Sequence, residues 1–572
     1  MSGQPYHIGE IGFVTLLLGD IMFKSFPKKL FLADRFAFGF TTVLVSSLLC
    51  GAAPLAAVAQ TNVSFAVAKE IGAFSQSVAA AASDDEAMAA VYRASGYAPI
   101  WTGEGQEGRR SALLTALAGA GAHGLPTNRY DPATLIAASH AARTEGDRGR
   151  LDVMMTRALL DYAHDVQTGA LTPGEVIPLI KREVPLRDRR ANLESFLAGE
   201  PVAFLKSLPP RTHAYAQLMR DKFELEQVVA MGGWGPKIAA TSLKPGATGP
   251  AFLQLRDRLV ALNYLPRSIT ASYDGSIQKA VQAFQTDMGL EADGVAGTST
   301  IEQLNIGPQA RLESVVVAME RERWMNIVRG PRHIWVNLTD FTAKIVDHGR
   351  VTFTTRSVIG ALNSDRQSPE FSDEMEYMAI NPSWNVPRSI TTKEYLPMMK
   401  RNPNAAGHLK IVDSRGRVVP RSAINFAAYT DRSFPYSMRQ PPSDSNALGL
   451  VKFMFPNPYN IYLHDTPSKS LFAREVRAFS HGCIRLSDPF DFAYALLAEQ
   501  SDDPVGLFTS YLKSGQETNV QLDVPVPVHL VYFTAYPSAT GRIEYRRDIY
   551  DRDAAIFRAL QAAGVVLGAD QG

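Results

Sequence analysis

Cysteine is almost absent from this chain. Two occur in 572 residues, and Cys50 falls inside an apolar N-terminal stretch, so a chain cut beyond that stretch keeps Cys483 alone and can form no intramolecular disulfide. An excess of one charge is missing too: 58 Lys and Arg face 57 Asp and Glu, a balance that implies neither a nucleic-acid nor an acidic partner. There is no internal repeat, and no low-complexity tract beyond the Ala-rich Ala79–Ala82. No His-x-x-x-His pair or comparable carboxylate–histidine cluster stands out, so a catalytic zinc would lack the three protein ligands it needs. What is there is ordinary globular composition, 46% hydrophobic and 20% charged. The length is too great for one core, and several domains of about 100 to 200 residues are expected.

From Phe36 to Ala59 the residues are apolar or small, Lys28, Lys29 and Arg35 precede them, and Ala57-Val58-Ala59 has the small-x-small form of a cleavage site. The stretch reads as an export signal. An uncleaved inner-membrane anchor is the competing reading, because the length approaches the ~20 apolar residues of a span. Leu49 stands before Cys50 where a lipidation signal would want a small residue, and the long segment ahead of Lys28 makes Met22 an alternative start. On either reading the chain beyond residue 60 leaves the cytoplasm. A lone cysteine there is a reactive thiol or a small buried hydrophobe, and its neighbours decide between them.

Hydrophobic period divides the rest. Residues 61–245 read as a helical scaffold domain: Ser83-Asp84-Asp85-Glu86 has capping-box spacing, and Leu151, Met154, Met155, Ala158, Leu159, Tyr162 and Val166 follow a 3.6-residue period. Those residues read as core, the Met pair included, and His164 beside them as a surface or capped histidine. Gly232-Gly233-Trp234-Gly235-Pro236 and Lys244-Pro245-Gly246 mark a linker. A compact unit at 246–308 follows, with Phe252, Leu255, Leu259 and Leu262 on one helical face and Ile277, Val281 and Phe284 on another. In the last domain, 309–560, the period becomes two beyond Arg332. Phe341, Ala343 and Ile345, a turn at Asp347-His348-Gly349, then Val351, Phe353 and Thr355 predict a hairpin. From about Thr391 to Ala447 the pattern is irregular, and an insertion of that size in a β domain predicts a lid.

The chemistry lies in Ser480-His481-Gly482-Cys483-Ile484-Arg485-Leu486. Read as one extended strand, it gathers His481, Cys483 and Arg485 on one face and sends Ile484 and Leu486 to the core. A thiol between two potential cations would be poised to ionise below its ordinary pKa of about 8.5. Ser487-Asp488-Pro489 predicts a helix start whose dipole would add to that positive field. Upstream, Ile461 to Asp465 reads as a strand with Ile461 and Leu463 inward and Tyr462 and His464 facing the other way. Because neighbours on one strand run side by side, His464 is the better candidate base for Cys483, with His481 in support.

These residues carry a resemblance. His464, fifteen intervening residues and then Ser480-His481-Gly482-Cys483 resemble the signature of the L,D-transpeptidases, whose catalytic domain is called YkuD-type. Asn381 to Pro387, Arg439-Gln440-Pro441-Pro442, Asn446 to Gly449, Lys452 to Asn457 and Tyr545 to Tyr550 extend it. The unit containing Phe284-Gln285, Gly289-Leu290 and Asp293-Gly294-Val295 resembles a small three-helix peptidoglycan-binding domain. Together with the helical region and lid, the chain resembles the large Gram-negative enzymes of the family. Arg485 stands where some members carry Asn, a difference of subfamily.

The resemblance implies a multidomain α+β protein whose catalytic domain is β-sandwich-like. It implies Cys483, His464, His481 and Gly482 as catalytic residues, and Arg485, Ser480, Trp384, Tyr462, Asn446 and Arg439 as substrate-binding residues. The implied reaction is acyl transfer from a tetrapeptide donor stem, through a thioester, to a diaminopimelate amine, giving a 3→3 cross-link, with backbone N–H groups near Gly482 and Cys483 holding the oxyanion. It implies no metal or organic cofactor, a periplasmic setting, peptidoglycan stems and sacculus as partners, outer-membrane proteins as further acceptors, and carbapenem-type β-lactams as covalent inhibitors. Rival readings are hydrolysis or protein attachment by the same cysteine, a zinc D,D-peptidase, which the ligand pattern disfavours, and a non-catalytic wall-binding scaffold, which would leave the His464 and Cys483 pairing idle.

Overall fold

The computed structural model describes residues 72–363, 365–539 and 541–567. The export or anchor segment read at 36–59, Cys50 and the alternative start at Met22 lie outside them. Among the described residues no helix is long and apolar enough to cross a membrane.

The helical region is built around Glu145–Thr168, which Thr144 and Asp147 start with a reciprocal capping box. Leu151, Met155, Leu159, Tyr162 and Val166 are buried along it, whereas Met154 is 38% exposed; consecutive residues lie about 100° apart on a helix, so the Met pair cannot share the stripe's centre. Asp152, fully buried, accepts from Tyr92 Oη and from the backbone N–H groups of Ile100, Trp101 and Thr102, tying the preceding loop to this helix. No capping box forms at Ser83: Asp85 is the N-cap and accepts from Met88 N, while Ser83 turns back to the Ala80 carbonyl.

Helices Pro250–Ala261, Gly275–Asp287 and Thr298–Leu304 make the small unit, with Phe252, Leu255, Leu259, Ile277, Val281 and Phe284 buried. The buried Gln285 carboxamide bonds Asp293, Val295 O and Thr300 and accepts from Gly294 N, so it staples the Asp293-Gly294-Val295 loop. A long helix, Pro308–Trp324, then joins this unit to the β domain and packs on the scaffold helix His213–Ala230.

The β domain contains β1 (Arg332–Asn337), β2 (Thr342–Asp347), β3 (Arg350–Gly360), β4 (Phe371–Ile380), β5 (Trp384–Asn385), β6 (Lys410–Val412) and β7 (Ser437–Gln440). It continues with β8 (Val451–Met454), β9 (Leu463–His464), β10 (Ala478–Ser480), β11 (Ile484–Leu486) and β12 (Thr518–Val531). The β2–β3 hairpin turns at His348 and Gly349, φ 49° and 78°, the two positive values of a tight hairpin turn. Its alternation breaks between Val351 and Phe353: the β2–β3 register shifts between Ile345 and Val346, a bulge that turns Val351 outward. The main sheet runs β10-β3-β11-β9-β8-β4-β12-β1-β2, and β2 also pairs with β3. The layers therefore belong to one sheet closed on itself, filled by Ile334, Ile345, Met378, Phe453, Leu463, Ile484 and Leu530 and covered by Phe492 and Phe508 from helices Pro489–Leu497 and Pro504–Lys513.

The irregular insertion is a folded cap. β5, β7 and β6 form its three-stranded sheet, and Trp384, Leu396, Met399, Ile411, Phe426, Phe434 and Met438 give it a core of its own. Its helical run Arg388–Arg401 contains a wide π-type turn at Thr391–Tyr395, a local widening of a kind that recurs at functional sites.

Candidate active site

The Ser480 to Leu486 segment is not one strand. β10 ends at Ser480, β11 begins at Ile484, and Gly482 between them has φ +112°, a value that L side chains rarely adopt. β10 runs parallel to β3 and β11 antiparallel to it, so His481-Gly482-Cys483 is a reversal at the sheet edge. Ser480 Oγ accepts from Gly482 N and donates to Cys483 O, and Ser368 Oγ donates to Gly482 O at 2.6 Å. A side chain at Gly482 would meet Ile461 Cδ1 at 3.2 Å. Ile484 and Leu486 are fully buried in the core.

Cys483 is half-buried, and its Sγ lies 3.5 Å from Asn460 O. Burial pushes the thiol up from its ordinary value, and this outweighs the opposing pull of the Tyr462 backbone and hydroxyl donors and of the Lys452 and Arg485 charges. The flanking cations expected to ionise it are only partly in place. Arg485 acts on the sulfur, but His481 turns out of the reversal and donates from Nε2 to Glu394 in the cap, at 2.7 Å. Glu394 also accepts from Arg366, at 2.9 Å.

β9 runs parallel to β11, with His464 opposite Arg485. Ile461 and Leu463 are buried in the core, while Tyr462 and His464 turn to the cavity with their rings 5.6 Å apart. His464 Nδ1 donates to the Asp465 carbonyl at 2.5 Å, which fixes the tautomer and leaves Nε2 as the basic nitrogen when the ring is neutral. Burial, with Arg485 and Lys452 nearby, lowers its pKa to about 3, so the ring is neutral at physiological pH. Asp465 is held in turn by Leu450 N, Thr466 N and Lys469 Nζ. His464 and Cys483 line one cavity, and no direct hydrogen bond joins them among the described residues.

That cavity measures about 520 Å³ and opens between the sheet edge and the cap. Trp384, Tyr462, Ser480, His481 and Arg485 line it with His464 and Cys483. Two of the expected binding residues are elsewhere. Asn446 is completely buried and spends its carboxamide on the Pro382, Gln440 and Pro441 carbonyls, and Arg439 pairs with Ser383 and Glu517 outside the cavity. Both shape the base of the cap. Glu394, Tyr395, His408 and Arg366 also line the cavity; nothing in the spacing of the sequence singled them out, since each comes from an irregular segment.

Residues 331–505 match the family described as "L,D-transpeptidase catalytic domain", residues 248–304 match "Putative peptidoglycan binding domain", and residues 86–221 match "Scaffold domain". Residues 331–505, which hold His464 and Cys483, belong to the L,D-transpeptidase catalytic-domain family. A "Putative L,D-transpeptidase" of Haemophilus influenzae is 33% identical over 242 residues, which are 42% of this chain and 48% of that protein. The chain thus spans about half the length of the curated relative it matches. Solved structures titled as L,D-transpeptidases resemble it more distantly. The one from Xylanimonas cellulosilytica is 17% identical over 52% of this chain and 100% of its own, with a TM-score of 0.16. The one from Stackebrandtia nassauensis is 16% identical over 52% of this chain and 96% of its own, with a TM-score of 0.21. The catalytic-domain match covers β1 to β11 and stops before β12, the strand that completes the closed sheet.

Proposed function

We propose that this chain is a peptidoglycan L,D-transpeptidase that forms 3→3 cross-links, with Cys483 as nucleophile and His464 as base, acting in the periplasm after export. The observation that carries the reading is a half-buried thiol in a covered cavity that also holds a neutral histidine of fixed tautomer.

A thiol held un-ionised needs a base when substrate arrives. In the proposed first step the Cys483 proton passes to His464 Nε2 as Sγ attacks the carbonyl of the third stem residue, diaminopimelate, in a tetrapeptide donor. Because Gly482 N–H is engaged by Ser480, the Cys483 N–H and the Tyr462 hydroxyl are the donors assigned to the oxyanion. Collapse expels the terminal D-Ala amine, which takes the proton from His464, and leaves a thioester. The side-chain amine of a second stem then attacks, His464 takes its proton, and the thiol leaves with that proton restored.

The test is muropeptide analysis after the full chain is incubated with disaccharide-tetrapeptide. Released D-Ala together with a 3→3 dimer is expected. Tripeptide alone would make water the acceptor, and no D-Ala release would overturn the proposal.

A further inference from the structure

Away from Cys483, a second cavity of about 290 Å³ lies where the scaffold helix His213–Ala230, the small three-helix unit and the C-terminal segment Gly541–Tyr545 meet. Its wall holds Arg311, from the first turn of the helix Pro308–Trp324. Arg311 is 6% exposed, yet no carboxylate pairs with it among the described residues. Its Nη2 donates to Gln303 O and Oε1, both at 3.1 Å, and touches Met288 Sδ, while the guanidinium lies over the Tyr545 ring, 4.4 Å from its centroid.

Other buried arginines are treated differently. Arg321, Arg323 and Arg552 each form ion pairs with buried carboxylates, and Arg258 spends its donors on three backbone carbonyls. Arg311 has no carboxylate partner among the described residues and bonds one backbone carbonyl through a single nitrogen; a buried charge so little compensated is costly, and a cavity beside it is where an anion would relieve the cost. At the far end of the same phenol ring, Tyr545 Oη donates to Asp221 at 2.8 Å. Burial lifts Asp221 only to about 6, so it is ionised at neutral pH. Trp234, Tyr264 and Phe284 supply apolar walls between these two charges.

We propose that this cavity is a second, non-catalytic binding site for the zwitterionic head group of an amino acid, its carboxylate held by Arg311 and its ammonium by Asp221. Tyr545 spaces the two charges, and the aromatic walls take the aliphatic chain that carries the head group. The side-chain end of an uncross-linked diaminopimelate has this chemistry, whether in a free molecule or in a wall peptide; the wall source rests on the proposed function. Such a site would hold one stem while the distant thiol acts on another.

The experiment is calorimetric titration of the full chain with free meso-diaminopimelate and, separately, with disaccharide-tripeptide, alongside Arg311→Met and Asp221→Asn. Saturable binding of either ligand is expected, weakened about tenfold or more in both variants at unchanged melting temperature. Arg311→Met removes an unpaired buried charge and should fold; if it does not, the near-isosteric Asp221→Asn still decides. A response to the tripeptide alone identifies the wall source, and an equal response to both the free head group. Lack of binding by wild type, equal binding of N-acetylated diaminopimelate or inorganic sulfate, or unchanged affinity in a folded variant would each overturn the proposal. Acylation of Cys483 by a tetrapeptide is followed on the same wild-type preparation. Acylation without binding of either ligand defeats this inference alone, and binding without acylation defeats the proposed function alone.

Discussion

The thiol shows how far residue types can be read and where geometry takes over. Ser480 to Arg485 identify the proposed nucleophile's neighbourhood in the sequence, but the reversal at Gly482 removes His481 from the sulfur, and burial then outweighs the charges that remain. Alkylation of the free protein by iodoacetamide should therefore follow a pKa above the ordinary thiol value of about 8.5, with the rate rising as pH climbs through it. A profile centred well below that value would mean a preformed thiolate. That His464 reaches the cavity of Cys483 from another strand was legible, whereas the Asp465 carbonyl that fixes its tautomer was not, since backbone acceptors leave no mark on residue identity. Replacing His464 with Ala should slow acylation by about 10²- to 10⁴-fold, the usual worth of a general base. Replacing His481, which reaches the cap and not the sulfur, should cost about tenfold or less. Single-turnover acylation measures both, and equal losses would remove the distinction.

Among the elements, the cap was visible only as a loss of periodicity. Its strands are two to four residues long, too short for alternation to register, and its π-type turn has no sequence signature that the chain displays. Yet that turn carries Glu394 to His481 and Arg366, so the cap is latched to the loop that holds Cys483 and to the loop between β3 and β4. A cover over a thioester excludes water. Glu394→Gln weakens the latch without emptying the cap's core, and the ratio of hydrolysed tripeptide to cross-linked dimer should rise severalfold at fixed donor and acceptor. An unchanged ratio would reassign the cap to docking or donor recognition.

At the scale of the whole molecule, the succession of helical region, small unit and β domain followed from the change of hydrophobic period, whereas the way they are joined did not. Helix Pro308–Trp324 carries a nearly charge-saturated last turn, Glu320-Arg321-Glu322-Arg323, a composition that is mostly exposed in folded proteins. In the fold all four are buried: Glu320 pairs with Arg323, and Arg321 with Glu370 ahead of β4 and Asp553 near the C-terminus. Pairs of this kind are strongly sensitive to loss of one partner, and here they bind the helix to the catalytic sheet. The β2–β3 hairpin was legible, but that its pairing closes the sheet was not, because the order of the remaining strands leaves no mark on either strand's alternation. The proposed chemistry depends on one sulfur atom. Intact-mass spectrometry of the full chain, quenched in acid during turnover of disaccharide-tetrapeptide, addresses that atom directly. A covalent adduct with the mass of the donor less D-Ala, mapped to Cys483 and absent from Cys483→Ala, is the predicted result; continued 3→3 dimer formation by the Cys483→Ala protein, or an adduct at any other residue, would contradict it.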